Sequence, residues 1–402
     1  MTRILFLTCH LPYPPFSGGR LREFELIKRL GGDLDIHLCA VSKTYAEDAA
    51  NIDRLSPYCS DIQLLPVDPL EQRSRGDGAR AFQVRRHGSS AMGEYLAAEL
   101  ERSRPDVVHV EGFYVMQHLP KRAGLPVLLV EQNVEYLLWR QKAEAAVGRD
   151  EREAILREYL LTLEAETEAW RAAALCAAVT DDDREAILAA EPGLDVRVVP
   201  DGADHLRDVP ERHVPPLQNT VAFIANYAYE PNVDGALYLL DRIWPRVRAR
   251  VPSAQLLLVG NAPPASVADL AAASGGVTVT GRVAEVEPYL TSATLVVCPL
   301  RVGGGVKVKV LEALSRGKAI VTTSVGAQGF GPEVGSALEI HDRPAPFADA
   351  VVRLLRRPAR RAALEQRAAE FALGLPTWDQ AAQRLRDCYD ELAFGYSRPV
   401  DA

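Results

Sequence analysis

The chain has 402 residues, 48% hydrophobic and 25% charged, with a formal net charge of −8. That length exceeds one ordinary core and predicts two domains, and the composition excludes a disordered chain. The acidic balance argues against a general nucleic-acid binder, and the absence of any apolar run of about 18 residues argues against a membrane span.

The opening "MTRILFLTCHLPYPP" lacks the long apolar region and small-residue cleavage site of a secretory signal, so it is expected to form the first strand of a cytoplasmic protein. The six cysteines (Cys9, Cys39, Cys59, Cys176, Cys298, Cys388) are scattered, mostly within apolar runs, without a C-x-x-C pair. Free buried thiols in a reducing compartment fit this pattern, and no metal site is expected.

"RILFLTC" is followed by the loop "HLPYPPFSGGR", the helical "LREFELIKRL" and the strand "DIHLCAV". Residues 43–90 are less regular and include the polar run "EQRSRGDGAR", a candidate mobile loop or acceptor-facing flap. "SSAMGEYLAAELERSRPD" reads as a serine-capped helix, followed by the strands "VVHVEG" and "PVLLVEQNVEY". A long charged helical region from about Glu135 to Ala174 precedes "LCAAVT", the helix "DDDREAILAA" and "VRVVPDGAD". The alternation predicts a parallel sheet with helices on both faces.

Residues 207–219, "RDVPERHVPPLQN", hold three prolines and no apolar periodicity, and are expected to be a linker. The alternation then restarts with "TVAFIAN", a helix through "DGALYLLDRIWPRVRARV", and the strands "QLLLVG", "VTVTG" and "TLVVCPL". The domains are expected to span 1–206 and 220–375. The helical segment 376–402, with Trp378, Ala382, Leu385 and Tyr389 on one stripe, follows them. Two doubly wound domains imply a ligand-binding cleft between them.

"GGGVKVKVLEALSRGK" (303–318) stands between two β-rich runs. Its helical spacing puts Val306, Val310, Ala313, Leu314 and Gly317 on one face, and Lys309, Glu312 and Arg316 on another. A glycine turn opening a helix inside a βαβ unit suits a phosphate, because its backbone N–H groups can approach closely and the helix end is partly positive. Lys307 and Lys309 oppose the helix dipole unless an anion binds there; otherwise they read as solvated surface lysines.

On these residues the chain closely resembles retaining glycosyltransferases of the GT-B architecture, in the large family 4 class. The resemblance runs in order through Ser17-Gly18-Gly19, "VVPDGAD" (198–204), "PNVDGALYLLDRIWPRVRARVPSAQLLLVG" (231–260), "GRV" (281–283) and "PLRVGGGVKVKVLEALSRGKAIVTTSVGAQG" (299–329). It implies an α/β fold of two Rossmann-like domains facing across a cleft, with the last segment packing back on the first domain. It also implies transfer of a sugar from a UDP- or GDP-linked donor to an acceptor hydroxyl with retention, and without a metal.

For the donor, the resemblance implies Glu312 on the ribose hydroxyls, a carboxylate offering two acceptors. Gly281 and Arg282 would lie at the base, and Gly303, Gly304, Gly305 and Val306 at the leaving phosphate. Gly18 and Gly19 would form the glycine loop of the first domain, and Lys309 and Arg301 would stabilise the diphosphate. On the acceptor side, "PVLLVEQNVEYLLWR" resembles a segment that reads E-H-N-x-E, with Gln132 at the histidine position. His109 and Glu111, at a strand end, point to the same edge, and His109 joins Gln132 among the candidate catalytic residues.

The chain departs from the commonest pattern at Gly304, where many relatives place a sugar-binding glutamate. It also has "ANYAYEPNVDG" where they carry an Arg and a Lys. The rival readings are a sugar-nucleotide epimerase on the same architecture and a non-catalytic sugar-nucleotide binder. The basic run 353–367 leaves at most a peripheral membrane contact. The oligomeric state, base, sugar and acceptor are open.

Overall fold

The computed structural model describes residues 1–69, 80–121, 126–146, 148–206 and 217–395. Its backbone contacts separate Met1–Gly202 with the segment from Trp378 as one unit, and Ala203–Thr377 as another. Residues 207–216 of the expected linker and most of "EQRSRGDGAR" lie outside the described residues.

The first unit is built on β1 (Arg3–Thr8), β2 (Asp35–Ser42), β3 (Asp61–Pro66), β4 (Val107–Glu111), β5 (Val127–Glu131), β6 (Leu175–Ala178) and β7 (Val196–Val198). They form one sheet in the order β3-β2-β1-β4-β5-β6-β7, every pair parallel. β4 and β5 are buried at every position, as strands covered on both faces must be, and so read as continuous apolar runs. β1 and β4 are neighbours, with Phe6 opposite His109, yet the chain leaves them toward opposite edges. Their C-terminal ends therefore splay a crevice at the point where the strand order reverses, the place where such sheets bind ligands.

Two sequence expectations change here. The charged region after β5 is two helices, Glu135–Ala145 and Arg149–Ala172, the second beginning after Gly148. The irregular stretch contains β3, an edge strand whose half-exposed residues carry little apolar signal. The helix Trp378–Gly395 packs on β4 and β5, and buries Trp378, Leu385 and Tyr389.

The second unit carries β8 (Thr220–Ile224), β9 (Gln255–Val259), β10 (Val277–Gly281), β11 (Leu295–Cys298), β12 (Ile320–Thr322) and β13 (Glu339–Ile340). Their order is β10-β9-β8-β11-β12-β13, again all parallel, which places the reversal between β8 and β11. The expected long helix after β8 runs Glu230–Tyr238, widens to a π turn at Leu239–Ile243, and resumes as Trp244–Arg250. Pro245 supplies no N–H to the ladder and crowds the carbonyl four residues back, which accounts for the wide turn. Trp244, Phe223 and Phe347 fill the core.

All six cysteines are buried and free. No helix among the described residues is long and apolar enough to cross a membrane. In the basic run 353–367, Arg353 and Arg360 pair with Glu339, and Arg367 donates to the Ser336 carbonyl.

Candidate functional site

In the second unit the turn after β11 leads into the helix Val308–Ser315, which begins two residues after Val306, the first position of the expected apolar face. Gly305 has a φ of 60°, a left-handed conformation that glycine adopts at no steric cost. Val310, Ala313 and Leu314 are buried as the spacing predicted, whereas Val306 and Gly317 are only half-buried. Lys307 is not the solvated surface lysine of the alternative reading. It is 7% exposed, and its ammonium donates to the carbonyls of Gly304 (2.9 Å) and Gly305 (2.7 Å) and to Gln328 Oε1 (3.3 Å).

Lys309 donates to Asn232 Oδ1, and its ammonium lies 5.5 Å from the centre of the Phe223 ring. Burial holds that ammonium below the ordinary lysine pKa, against the opposing pull of Cys298 and Glu312. Arg301 is half-exposed, forks onto both carboxylate oxygens of Asp234 (Nε to Oδ2 3.0 Å), and lies 4.9 Å over the Tyr238 ring. The segments 231–234 and 299–309 thus meet in space, with Asp234 holding Arg301 and Asn232 holding Lys309. Asn232 in turn donates to the Asn226 carbonyl (2.7 Å), which locks this corner to the end of β8.

Glu312 faces the same side of its helix as Lys309, and its Oε1 lies 3.3 Å from His205 Nε2. His205 comes from the segment just after "VVPDGAD", a partner that helical spacing does not reveal. Gly281 closes β10 with a φ of 68° and open space where a Cβ would be, and Arg282 follows it exposed. The unit therefore assembles cations, a glycine turn and a carboxylate around one strand-helix junction.

In the first unit, Gly18 and Gly19 open the helix Gly18–Leu30, which carries Glu23 into the crevice between β1 and β4. Glu23 accepts from Thr8 Oγ1 (2.8 Å) and lies 3.0 Å from His10 Nε2. The Gln132 amide donates to both Glu23 (3.2 Å) and Glu111 (3.0 Å), which directs its oxygen the other way, against Gly19. A Cβ on Gly19 would come within 2.6 Å of that oxygen, so the glycine leaves room for Gln132 to hold this position.

His109 is fully buried, stacked on Phe6 at 4.0 Å, with Nε2 on Glu111 (2.9 Å) and Nδ1 on the Tyr389 hydroxyl (2.8 Å). An ionised Glu111 can only accept, so Nε2 carries the hydrogen and Nδ1 accepts from Tyr389. Burial holds the His109 pKa below its ordinary value. Both ring nitrogens are engaged, so His109 reaches the crevice only through Glu111. Burial would raise the Glu111 carboxyl, but His109, Arg22 and Gln132 outweigh it and keep the group ionised. Burial also opposes a charge on His10, yet Glu23 and Cys9 raise its pKa to about 10. Arg22 donates to Asp201 (2.8 Å) and the Pro200 carbonyl (3.2 Å), tying "VVPDGAD" to the helix that carries Glu23.

Sequence reasoning singled out Gln132, Glu111 and Glu312 but not Glu23, His10, Tyr389, Asn232, Asp234 or His205. His10 sits directly beyond the end of β1, and that strand-end position was the available signal. The others act across long sequence separations.

Residues 218–357 match the family model described as "Glycosyl transferases group 1". An "uncharacterized 44.6 kDa protein in cps region" of Klebsiella pneumoniae is 25% identical over 139 residues, 33% of this chain. The match spans only 36% of that relative's length. Sucrose-phosphate synthase from Thermosynechococcus elongatus superposes with a TM-score of 0.70 at 18% identity, covering 99% of this chain and 100% of that one. Anabaena HepE in complex with UDP-glucose gives 0.66 at 14% identity over 96% and 99%. WaaG, a glycosyltransferase involved in lipopolysaccharide biosynthesis, gives 0.63 at 14% identity over 97% and 99%. Two all-parallel α/β units and these whole-chain likenesses make this the GT-B glycosyltransferase fold, with the group 1 match falling inside the second unit.

Proposed function

We propose that the chain is a glycosyltransferase that moves a sugar from a nucleoside-diphosphate donor, of UDP or GDP type, to an acceptor hydroxyl with retention of configuration. The observation that carries this reading is the junction in the second unit where Arg301, Lys309, the turn Gly303–Val306 and Glu312 converge inside the stretch matched by the group 1 family. A solved structure of like fold holds UDP-glucose, which supports a sugar nucleotide as donor.

Glu312 would accept from the ribose hydroxyls, Gly281 and Arg282 would border the base, and the glycine turn would receive the terminal phosphate. In the reaction the bond from the anomeric carbon to the phosphate oxygen breaks and the acceptor oxygen takes its place. The acceptor proton passes to the departing diphosphate, so no enzymic nucleophile is needed. Arg301 and Lys309 stabilise the charge that develops on that diphosphate, and do so most effectively where water is excluded. Their existing partners hold them in place before the donor arrives, which lowers the ordering cost at the moment of reaction. In the first unit Gln132, with its amide nitrogen fixed by two carboxylates, offers its oxygen to a sugar hydroxyl, and His109 and Tyr389 position Glu111 behind it. This scheme uses no metal and no cofactor beyond the donor, and places the work in the cytoplasm.

The test is release of UDP or GDP from a panel of sugar nucleotides with glycan and lipid-linked acceptors, and an NMR assignment of the product's anomeric configuration. The expected result is acceptor-dependent release with retention. No release from any donor, together with no thermal stabilisation by UDP or GDP, would overturn the reading.

A further inference from the structure

We propose that Lys307 is a positioning residue that shapes the glycine turn into a backbone nest for the donor's terminal phosphate, an inference that rests on the transferase reading above. Lys307 carries three N–H donors, and all three find oxygens inside the protein, at Gly304, Gly305 and Gln328. The side chain therefore does not reach out to a ligand. It folds back under the turn and draws two successive carbonyls toward itself.

The direction of those carbonyls decides the rest. In a planar trans peptide the C=O and the following N–H point opposite ways. With the Gly304 and Gly305 carbonyls aimed at the Lys307 ammonium, the N–H groups of Gly305 and Val306 are aimed away from it. Neither N–H meets a protein acceptor among the described residues. Two adjacent donors presented on the outer side of a turn, one belonging to a left-handed glycine, make an anion-binding concavity. The start of the helix Val308–Ser315 adds its partial positive charge at the same place. Gly303 suits this fit, with a φ of 155° and a Cβ position 3.2 Å from Lys307 Cε, so that a larger residue would require the lysine to shift by a few tenths of an ångström.

Lys307 thus differs in kind from Lys309 and Arg301. Those two act as charges, whereas Lys307 sets the backbone that receives the phosphate. A nucleoside would use Glu312 and the Gly281–Arg282 turn but not the nest; a nucleoside diphosphate would use both.

The experiment compares uridine and guanosine with UDP and GDP, by ligand-observed NMR for the nucleosides and calorimetry for the diphosphates, on the full chain. Lys307→Met is expected to weaken the diphosphate by about tenfold or more while nucleoside affinity holds, since the two N–H groups lose their fixed direction. Gln328→Ala, which removes a side-chain acceptor and leaves the Gly304 and Gly305 carbonyls in place, is expected to show a smaller loss of the same selectivity. This second variant keeps the test decisive if Lys307→Met fails to fold. Unchanged diphosphate affinity in Lys307→Met would overturn the inference, as would equal loss of nucleoside and diphosphate in folded variants. If Lys307→Met does not fold, unchanged selectivity in Gln328→Ala overturns it. Failure of the wild-type chain to bind either diphosphate would instead overturn the transferase reading.

Discussion

Glu312→Ala tests the donor site most directly. Glu312 is 17% exposed, lies 3.3 Å from His205 Nε2, and sits on the same helix face as Lys309. Two ribose hydroxyls donating to a carboxylate are charge-assisted hydrogen bonds, worth about 1.5–3 kcal/mol when lost. That range corresponds to roughly ten- to more than hundredfold in affinity. The free protein already spends one carboxylate oxygen on His205, so the net gain on binding is smaller, and the expected loss falls toward the tenfold end. Calorimetric titration of UDP and GDP into wild type, Glu312→Ala and His205→Ala would measure it. His205→Ala should move affinity less than Glu312→Ala, because His205 shares the carboxylate and does not touch the ribose. Equal affinity in wild type and Glu312→Ala would refute the ribose assignment.

Three further outcomes are expected. Gln132→Ala should leave nucleotide affinity nearly unchanged and lower turnover, since Gln132 belongs to the first unit; a parallel loss of nucleotide binding would sink that division of labour. Gly202→Ala should destabilise the protein by about 1–3 kcal/mol, because its Cβ would fall 2.3 Å from the Trp378 amide nitrogen and 2.5 Å from its Cγ. Tryptophan-fluorescence unfolding in urea reads this, and an unshifted midpoint would contradict the packing. Glu166, fully buried, accepts from the Glu135 and Tyr136 amides at 2.6 and 2.9 Å, and burial together with Glu131 raises its carboxyl well above the ordinary value. The native state then holds that proton more tightly than the unfolded chain, so stability falls as pH climbs from the ordinary carboxyl range through the raised one. Glu166→Gln should flatten that decline in thermal melts across about pH 4 to 9, and an unaltered slope would exclude Glu166 as its source.

The parallel α/β architecture was legible because β1, β4, β5 and β8 are runs of apolar residues and the helices between them keep their period. The glycine turn and its helix were legible for the same local reason. What stayed hidden depends on partners far along the chain. Periodicity places Lys309 on a helix face, but not over Phe223 or beside Asn232, which lies 77 residues earlier. Arg301 reads as an exposed cation until Asp234, 67 residues away, is brought against it. Neither the anion-paired nor the solvated reading of Lys307 anticipates its inward turn, because only the fold of the turn brings the Gly304 and Gly305 carbonyls and Gln328 to its ammonium. His109 looked like a strand-end reactant, and the Tyr389 hydroxyl that occupies its second nitrogen comes from the far end of the described chain.

The first unit is discontinuous in sequence, since the helix Trp378–Gly395 returns to it after the whole of the second unit has been traversed. On the ribosome, the seven-stranded sheet emerges with the site of Tyr389 against His109, 280 residues earlier, still empty. The second unit is contiguous and can consolidate while the first waits, so the order of completion runs opposite to the order of synthesis. Early termination before Trp378 would therefore injure the half made first and spare the half made last, the reverse of the usual damage from a shortened chain.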